Sequence, residues 1–308
     1  MMKQFGAGLL FSIFSLAGCA QNTPLKKAAN NNTLLWKVTG KDLKQPSYIF
    51  GTIHMICADD ALLSDNMKTV IKTVDEVYLE VDMDDMMQML SLVTKMKMKD
   101  GTTFRSLLSE EDYELVKTYF TEKGSMLPFS MLETFKPLMA TSLVAQSSSE
   151  CESMSAMETV IMSAAKDSKK EIKGLESMAY QAGILDSIPY KAQAELLVQS
   201  IKSETAAAGA APTDSDMNKL FDAYKSQNLD VLENLMIKSE AGLSEYMDLL
   251  LFKRNHNWVE KLKDILPAKS VLIAVGAGHL PGNEGVLNLL KKEGYKVEPI
   301  DNSLVKEI

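Results

Sequence analysis

The sequence predicts an α/β fold: a mixed, mostly parallel central sheet carrying a large helical insertion. Three observations carry this reading. Tyr48-Ile49-Phe50-Gly51-Thr52-Ile53-His54 and Val271-Leu272-Ile273-Ala274-Val275-Gly276-Ala277-Gly278-His279 are short apolar, partly β-branched runs, and each ends in Gly-x-x-His. Such runs read as buried parallel strands. Glu76-Val77-Tyr78-Leu79-Glu80-Val81-Asp82 forms a third strand, with Glu80 and Asp82 on one face by the two-residue strand period. Between about 84 and 266 the apolar spacing turns helical instead.

The elements follow in order. Residues 34–38 form a first strand, and the turn-rich 40–46 joins it to the second, so the two make a hairpin. A loop then leads to a helix with Ser64 as its N-cap. After the 76–82 strand come helical stretches at 86–98, 109–122, 131–146 and 154–166. Lys170-Glu171-Ile172-Lys173-Gly174-Leu175-Glu176 interrupts them as a short strand. Helices resume at 180–187 and 191–202, the latter opened by Pro189. A low-complexity loop spans 204–214. Helices at 216–225, 228–238 and 242–266 follow, and Pro267 stops the last. The strand at 271–275, a helix at 285–292 and a strand at 295–300 close the chain. The two Gly-x-x-His halves echo each other loosely, with Glu80 following His54 and Glu298 following His279.

The N-terminus reads as a targeting segment. Lys3 precedes a short apolar run at 8–16, too short to span a bilayer as a folded helix. It ends in Leu16-Ala17-Gly18-Cys19, which resembles a lipobox. Residues 1–18 are therefore expected to be a lipoprotein signal peptide. Cys19 is expected to carry the lipid that holds the protein to a membrane, and 19–33 to be a flexible tether. Ala20, in place of aspartate, points to the outer membrane or a periplasm-facing position in the cell envelope. The domain then occupies 34–308. Of three cysteines, Cys57 and Cys151 remain. In an oxidising compartment they are expected to form a disulfide, bracing the loop that bears His54.

A formal charge of −8 with 46% hydrophobic residues supports a sizeable core. It argues against a nucleic-acid partner, which needs a basic face. No nucleophile elbow, phosphate loop or dinucleotide fingerprint is present. The twenty methionines, many within 83–98, fill core gaps or line a flexible groove for a peptide.

The chemistry gathers on His54 and His279, two of only three histidines. Both follow strand ends, at the rim where ligands bind open α/β sheets. With Glu80 they form a two-imidazole, one-carboxylate set for a divalent ion of the manganese, cobalt or zinc class, leaving one position open for catalysis. A right-handed crossover places the Glu80 strand beside the His54 strand. Glu176 or Glu158 then serves as base, and Arg254 or Asn255 stabilises an oxyanion. His256, in a helix, reads as ordinary surface.

Taken together, Gly51-Thr52-Ile53-His54, Tyr78-Leu79-Glu80-Val81-Asp82, Gly174-Leu175-Glu176, Arg254-Asn255 and Val275-Gly276-Ala277-Gly278-His279-Leu280-Pro281-Gly282 resemble the TraB/GumN family. That family is similar to the Tiki proteins of animals and akin to the erythromycin-esterase and ChaN-like group. The resemblance covers residue 34 to the end. It implies an α/β fold with a helical insertion, and a metal-dependent protease site at His54, His279 and Glu80. It also implies a peptide or protein substrate. The family's role in limiting peptide pheromone signalling leaves an alternative, a non-catalytic peptide-sequestering module. A metal-free, esterase-like hydrolase with His54 as base is the other.

Overall fold

A computed structural model describes residues 25–26, 28, 32–86, 94–123, 127–147, 151–207, 216–239 and 244–304. The signal peptide, Cys19, most of the tether, Met87, Met89 and most of the low-complexity loop lie outside the described residues.

Six strands make the central sheet, in the order β6-β4-β7-β2-β1-β8. They are β1 (Leu35–Thr39), β2 (Ser47–Thr52), β4 (Glu76–Val81), β6 (Glu171–Glu176), β7 (Val271–Gly276) and β8 (Lys296–Ile300). β6, β4, β7 and β2 run parallel, while β1 is antiparallel to both β2 and β8. Two further strands, β3 (Ile56–Cys57) and β5 (Met154–Ser155), form a small separate ribbon. The expected α/β architecture is present. Two details of the sequence reading are corrected. β4 does not lie beside β2, because β7 enters between them. Val271 to Val275 are all fully buried, and a strand so apolar on both faces belongs in the middle of a parallel sheet. The echo between halves also ends at β8. That strand pairs only with β1 at the far edge, so Glu298 lies away from the strand ends that carry the histidines.

Helices cover the sheet and form a second core. Ser64 caps the helix Asp65–Thr73 by accepting from the Met67 amide at 3.0 Å, as the sequence indicates. The helix Met157–Asp167 and the helix Lys253–Ile265 pack on the sheet through Ile161, Ala165, Trp258, Val259 and Leu262. Phe104, Tyr113, Val116, Phe120, Leu132, Leu197 and Ile201 build a distinct hydrophobic cluster inside the helical region. The expected helix over 131–146 is two pieces, Phe129–Leu132 and Pro137–Ser147. Proline at 137 removes a donor and restricts the residue before it, so the second helix starts there. No described helix is long and apolar enough to cross a membrane.

One buried ion cluster braces the amino-terminal end of the parallel strands. Glu76 is buried on β4 and accepts from Lys173 at 2.9 Å, Tyr78 at 3.1 Å, and Lys269. Burial alone would raise its pKa, but hydrogen bonds from Lys269, Lys173 and Tyr78 hold it at about 2. A carboxyl held low in the folded state adds stability above its unfolded pKa, and that stability is lost as pH falls toward 2. Both lysines are a third to a half exposed, so solvent screens the pair. E76Q is expected to cost on the order of 1–2 kcal/mol at pH 7. The gap from wild type should close between pH 4.5 and 2. Urea unfolding across that range checks it, and a pH-independent gap would refute the ionic account.

Candidate active site

The carboxyl ends of β6, β4, β7 and β2 meet along one edge, and each delivers part of a polar cluster. Glu176 ends β6, Glu80 lies one residue before the end of β4, Gly276 ends β7 and Thr52 ends β2. The two Gly-x-x-His motifs diverge from there. After β7 a short 3-10 turn, Ala277–His279, folds His279 inward until it is 4% exposed. After β2 the chain stays open, and the His54 side chain is 69% exposed.

Both glycines are needed for close approach. A Cβ on Gly51 would sit 3.1 Å from Ala277 and from Leu34. One on Gly276 would sit 3.2 Å from Glu80 Oε1, the oxygen that accepts the Gly276 amide proton at 2.8 Å.

His54 and Glu158 form the outer part of the site. Nδ1 of His54 lies 3.0 Å from Glu158 Oε1, which also accepts from Thr52 Oγ1 at 2.5 Å. Glu158 is buried in the first turn of the helix Met157–Asp167, where free amides favour a carboxylate. The Met157 amide donates to Ile53 O at 3.1 Å and ties that helix start to the His54 loop. The hydrogen bond with Glu158, and that carboxylate's charge, raise the His54 pKa to about 9. Burial would raise Glu158, and the hydrogen bond and charge of His54 bring it below its ordinary value. Its second oxygen, Oε2, is buried and has no hydrogen-bond partner among the described residues.

The inner part is closed around Arg254. Its Nε and Nη2 donate to Glu176 Oε1 at 2.9 and 2.7 Å. Nη2 also donates to Glu80 Oε2 at 2.5 Å, and Nη1 lies 3.2 Å from His279 Nε2. Trp258 Nε1 donates to Glu176 Oε2 at 3.1 Å, so both Glu176 oxygens are engaged. Gln181 donates to Glu80 Oε2 at 3.0 Å. Burial would raise Glu80, but the positive charges of Arg254 and His54, with the Gly276 amide, hold it below its ordinary value, at about 2. Burial raises Glu176 above its ordinary range despite Arg254. Burial also pushes His279 down to about 3, so its imidazole is neutral at physiological pH. Asn255 faces it, with Oδ1 2.6 Å from Nδ1.

The structure thus gathers His54, Glu80, Glu158, Glu176, Arg254, Asn255 and His279 at one sheet edge. His256 is exposed and pairs with Glu284, outside this cluster. Asp82 leaves it too and accepts from the Asp84 amide at 3.0 Å. Among the described residues, no three of the His, Cys, Asp or Glu side chains stand close enough together to hold an ion as they lie. Thr52, Gln181 and Trp258 were not singled out from the sequence. Thr52 is adjacent to Gly51 at the strand end and was legible there. Gln181 and Trp258 sit in helices whose placement no local pattern gives.

The model of the TraB/PrgY/gumN family matches residues 34–299, nearly all of the described body. The chain belongs to the TraB/PrgY/gumN family. Its curated relatives include Metalloprotease TIKI1 of Xenopus tropicalis, 24% identical over 91% of this chain and 63% of the relative. Metalloprotease TIKI1 of Danio rerio is 23% identical over 92% and 65%, and Metalloprotease TIKI2 of Danio rerio is 23% identical over 87% and 61%. This TraB/PrgY/gumN chain therefore spans a little under two thirds of these relatives. No solved structure matches it. The family assignment joins the disulfide Cys57–Cys151, with a Cα separation of 5.3 Å, as an expectation met. Cys57 lies in the β3–β5 ribbon, opposite Met154, three residues after His54 in the sequence.

Proposed function

We propose that this protein is a metal-dependent peptide hydrolase, anchored to the cell envelope through lipid on Cys19. One observation carries the catalytic part: residues from four parallel strand ends and two helices converge at the carboxyl edge of the sheet. The relatives named metalloproteases support the reaction class.

The donor set fits a divalent ion. Glu80, Glu158 and Glu176 bring three carboxylates against one guanidinium, with His279 neutral. Two negative charges are left over, and the proton on His54 answers only one of them. Glu158 Oε2 is a buried oxygen with nothing to accept, a costly arrangement unless a cation or proton meets it. His54, Glu80 and His279 are the proposed ligands. A bound ion there supplies Lewis acidity and a water acidified toward neutrality.

The chain's own residues do the rest. Asn255 fixes the His279 ring through Nδ1, as outer partners of ligating histidines commonly do. Thr52 and His54 hold Glu158 through Oε1 and leave Oε2 without a partner among the described residues, which makes Glu158 the proposed proton acceptor. Glu176 is committed to Arg254 and Trp258, so it positions rather than accepts. Asn255 directs Oδ1 to His279 and Nδ2 to the Glu284 and His279 carbonyls, so it positions the ring, and Arg254 remains the group offered to a developing oxyanion. The metal-free alternative asks His54 to act as base. The pairing of His54 with Glu158 favours a proton on its imidazole; both a ligating and a basic His54 must give that proton up, so sensitivity to chelation is what separates the two routes.

The test is a mixed peptide library with the purified chain, a chelator and added zinc or manganese, with H54A alongside. Cleavage that stops on chelation, returns with metal and fails in H54A is the expected result. Peptides recovered intact would instead favour a sequestering module. Cleavage indifferent to chelation would favour the metal-free hydrolase.

A further inference from the structure

The whole sequence contains two arginines, Arg105 and Arg254, and Arg254 lies at the centre of the cluster. Its contacts divide into two groups. The first anchors it on the β6 side: Glu176 Oε1 at the end of β6, the Leu250 carbonyl at 2.9 Å, and the Trp258 ring, whose centroid is 4.8 Å from the guanidinium carbon. The second falls on Glu80 Oε2 and His279 Nε2.

The second group covers donor atoms an ion would need. Asn255 Nδ2 donates to the Glu284 carbonyl at 2.8 Å, which turns Oδ1 toward His279 and fixes the proton on Nδ1. Nε2 therefore carries the lone pair, and Arg254 Nη1 is hydrogen-bonded to it. A lone pair engaged with an N–H cannot also coordinate a metal. Glu80 Oε2 is doubly engaged, by Arg254 and Gln181, while Oε1 accepts from Gly276 and lies 3.8 Å from His279 Nε2.

The geometry points to Arg254 as a built-in cation that competes with the metal for Glu80 and His279. It withdraws onto Glu176, Leu250 and Trp258 when the ion seats. This rests on the metal-dependent reading above and adds what governs loading of that site. Withdrawal keeps the guanidinium paired, because Glu176 already takes two of its N–H groups. The backbone immediately before Arg254 is a π-helical turn, Asp248–Phe252. Such turns are rare and concentrate at functional positions. Here it places the Leu250 carbonyl under Nη1. In the same stroke, the withdrawn guanidinium leaves Glu80 and His279 free and stays beside the strand ends.

Zinc binding to the full chain tests this without reference to turnover. R254M is expected to bind Zn²⁺ at least about tenfold tighter than wild type by calorimetry, the scale of a typical coupling between two ligands. A purely supporting role for Arg254 predicts weaker binding. In wild type labelled with ¹⁵N-arginine, two Nε–Hε signals are expected, and R105K assigns them. Zn²⁺ should shift the Arg254 signal and leave Arg105 in place. This second measurement decides the matter if R254M does not fold. Wild type that binds Zn²⁺ with a stationary Arg254 signal overturns the competition while the metal reading stands. Binding by R254M alone upholds it in its strongest form. Binding by neither protein removes both.

Discussion

Glutamine at position 80 is expected to reduce peptide hydrolysis by on the order of a hundredfold or more. Glu80 is the proposed ligand held most firmly in its charged form, at a pKa of about 2. The substitution keeps its shape and removes its charge. The Gly276 amide keeps an acceptor, and Arg254 keeps Glu176. Removing one member of a buried ion cluster costs roughly 3 kcal/mol in the absence of such a second partner. With Glu176 present the loss should be smaller, and E80Q should fold. Thermal melting and the cleavage assay run on the same sample separate the two effects. A folded E80Q protein that cleaves as fast as wild type would end the case for Glu80 as a ligand.

Loss of the Cys57–Cys151 disulfide is expected to produce the largest stability change. The bridge spans a sequence separation of 94 residues, for which the chain-entropy account gives about 4–5 kcal/mol. For a domain of this size that lowers the melting temperature by roughly ten degrees. A second effect is local. Cys57 begins the turn after the His54 loop, and Cys151 lies seven residues before Glu158. Freed from the bridge, His54 and Glu158 should separate more often, and the His54 pKa should fall from about 9 toward its ordinary value. Proton NMR of the three histidines follows this in the C57S/C151S protein. The direction of the linked stability is fixed by the raised pKa. Pairing with Glu158 stabilises the folded chain below about pH 6.5, and that contribution fades as pH rises through 9. Equal melting temperatures for oxidised and reduced protein would dismiss the bridge as a brace.

Much of the site could be read from residue order alone, because strand ends and turn residues leave local marks. Gly51 and Gly276 announce close backbone approach, and His54, Glu80 and His279 follow buried runs. Glu176 ends a strand and does reach the edge. What could not be read is whatever depends on long-range pairing. The apolar content of Val271 to Val275 argues for a buried parallel strand, but its insertion between β2 and β4 is visible only in the sheet. The twin motifs also gave no hint that one histidine is buried and neutral while the other is exposed and charged. The burial of His279 comes with what packs over its loop: the Trp258 ring centroid is 4.5 Å from that of His279, while the His54 side chain is left 69% exposed. Glu158 sits on a helix rather than at a strand end, so no local mark announces its approach to the edge. Its helix start turns out to abut the His54 loop through Met157 and Ile53.

The position of β7 has a consequence for how the chain matures. β2 and β4 are made early, yet neither can pair with the other, and both wait for a strand that begins at Val271. Loop closure over some 220 residues is slow, so the first half of the chain must persist with its sheet edges unsatisfied. Glu80 can meet Glu176 through β4 and β6, and His54 can meet Glu158, but the two pairs and His279 come together only when that final wedge arrives. A truncation before it should yield no partial enzyme, which ties competence to completion of the polypeptide.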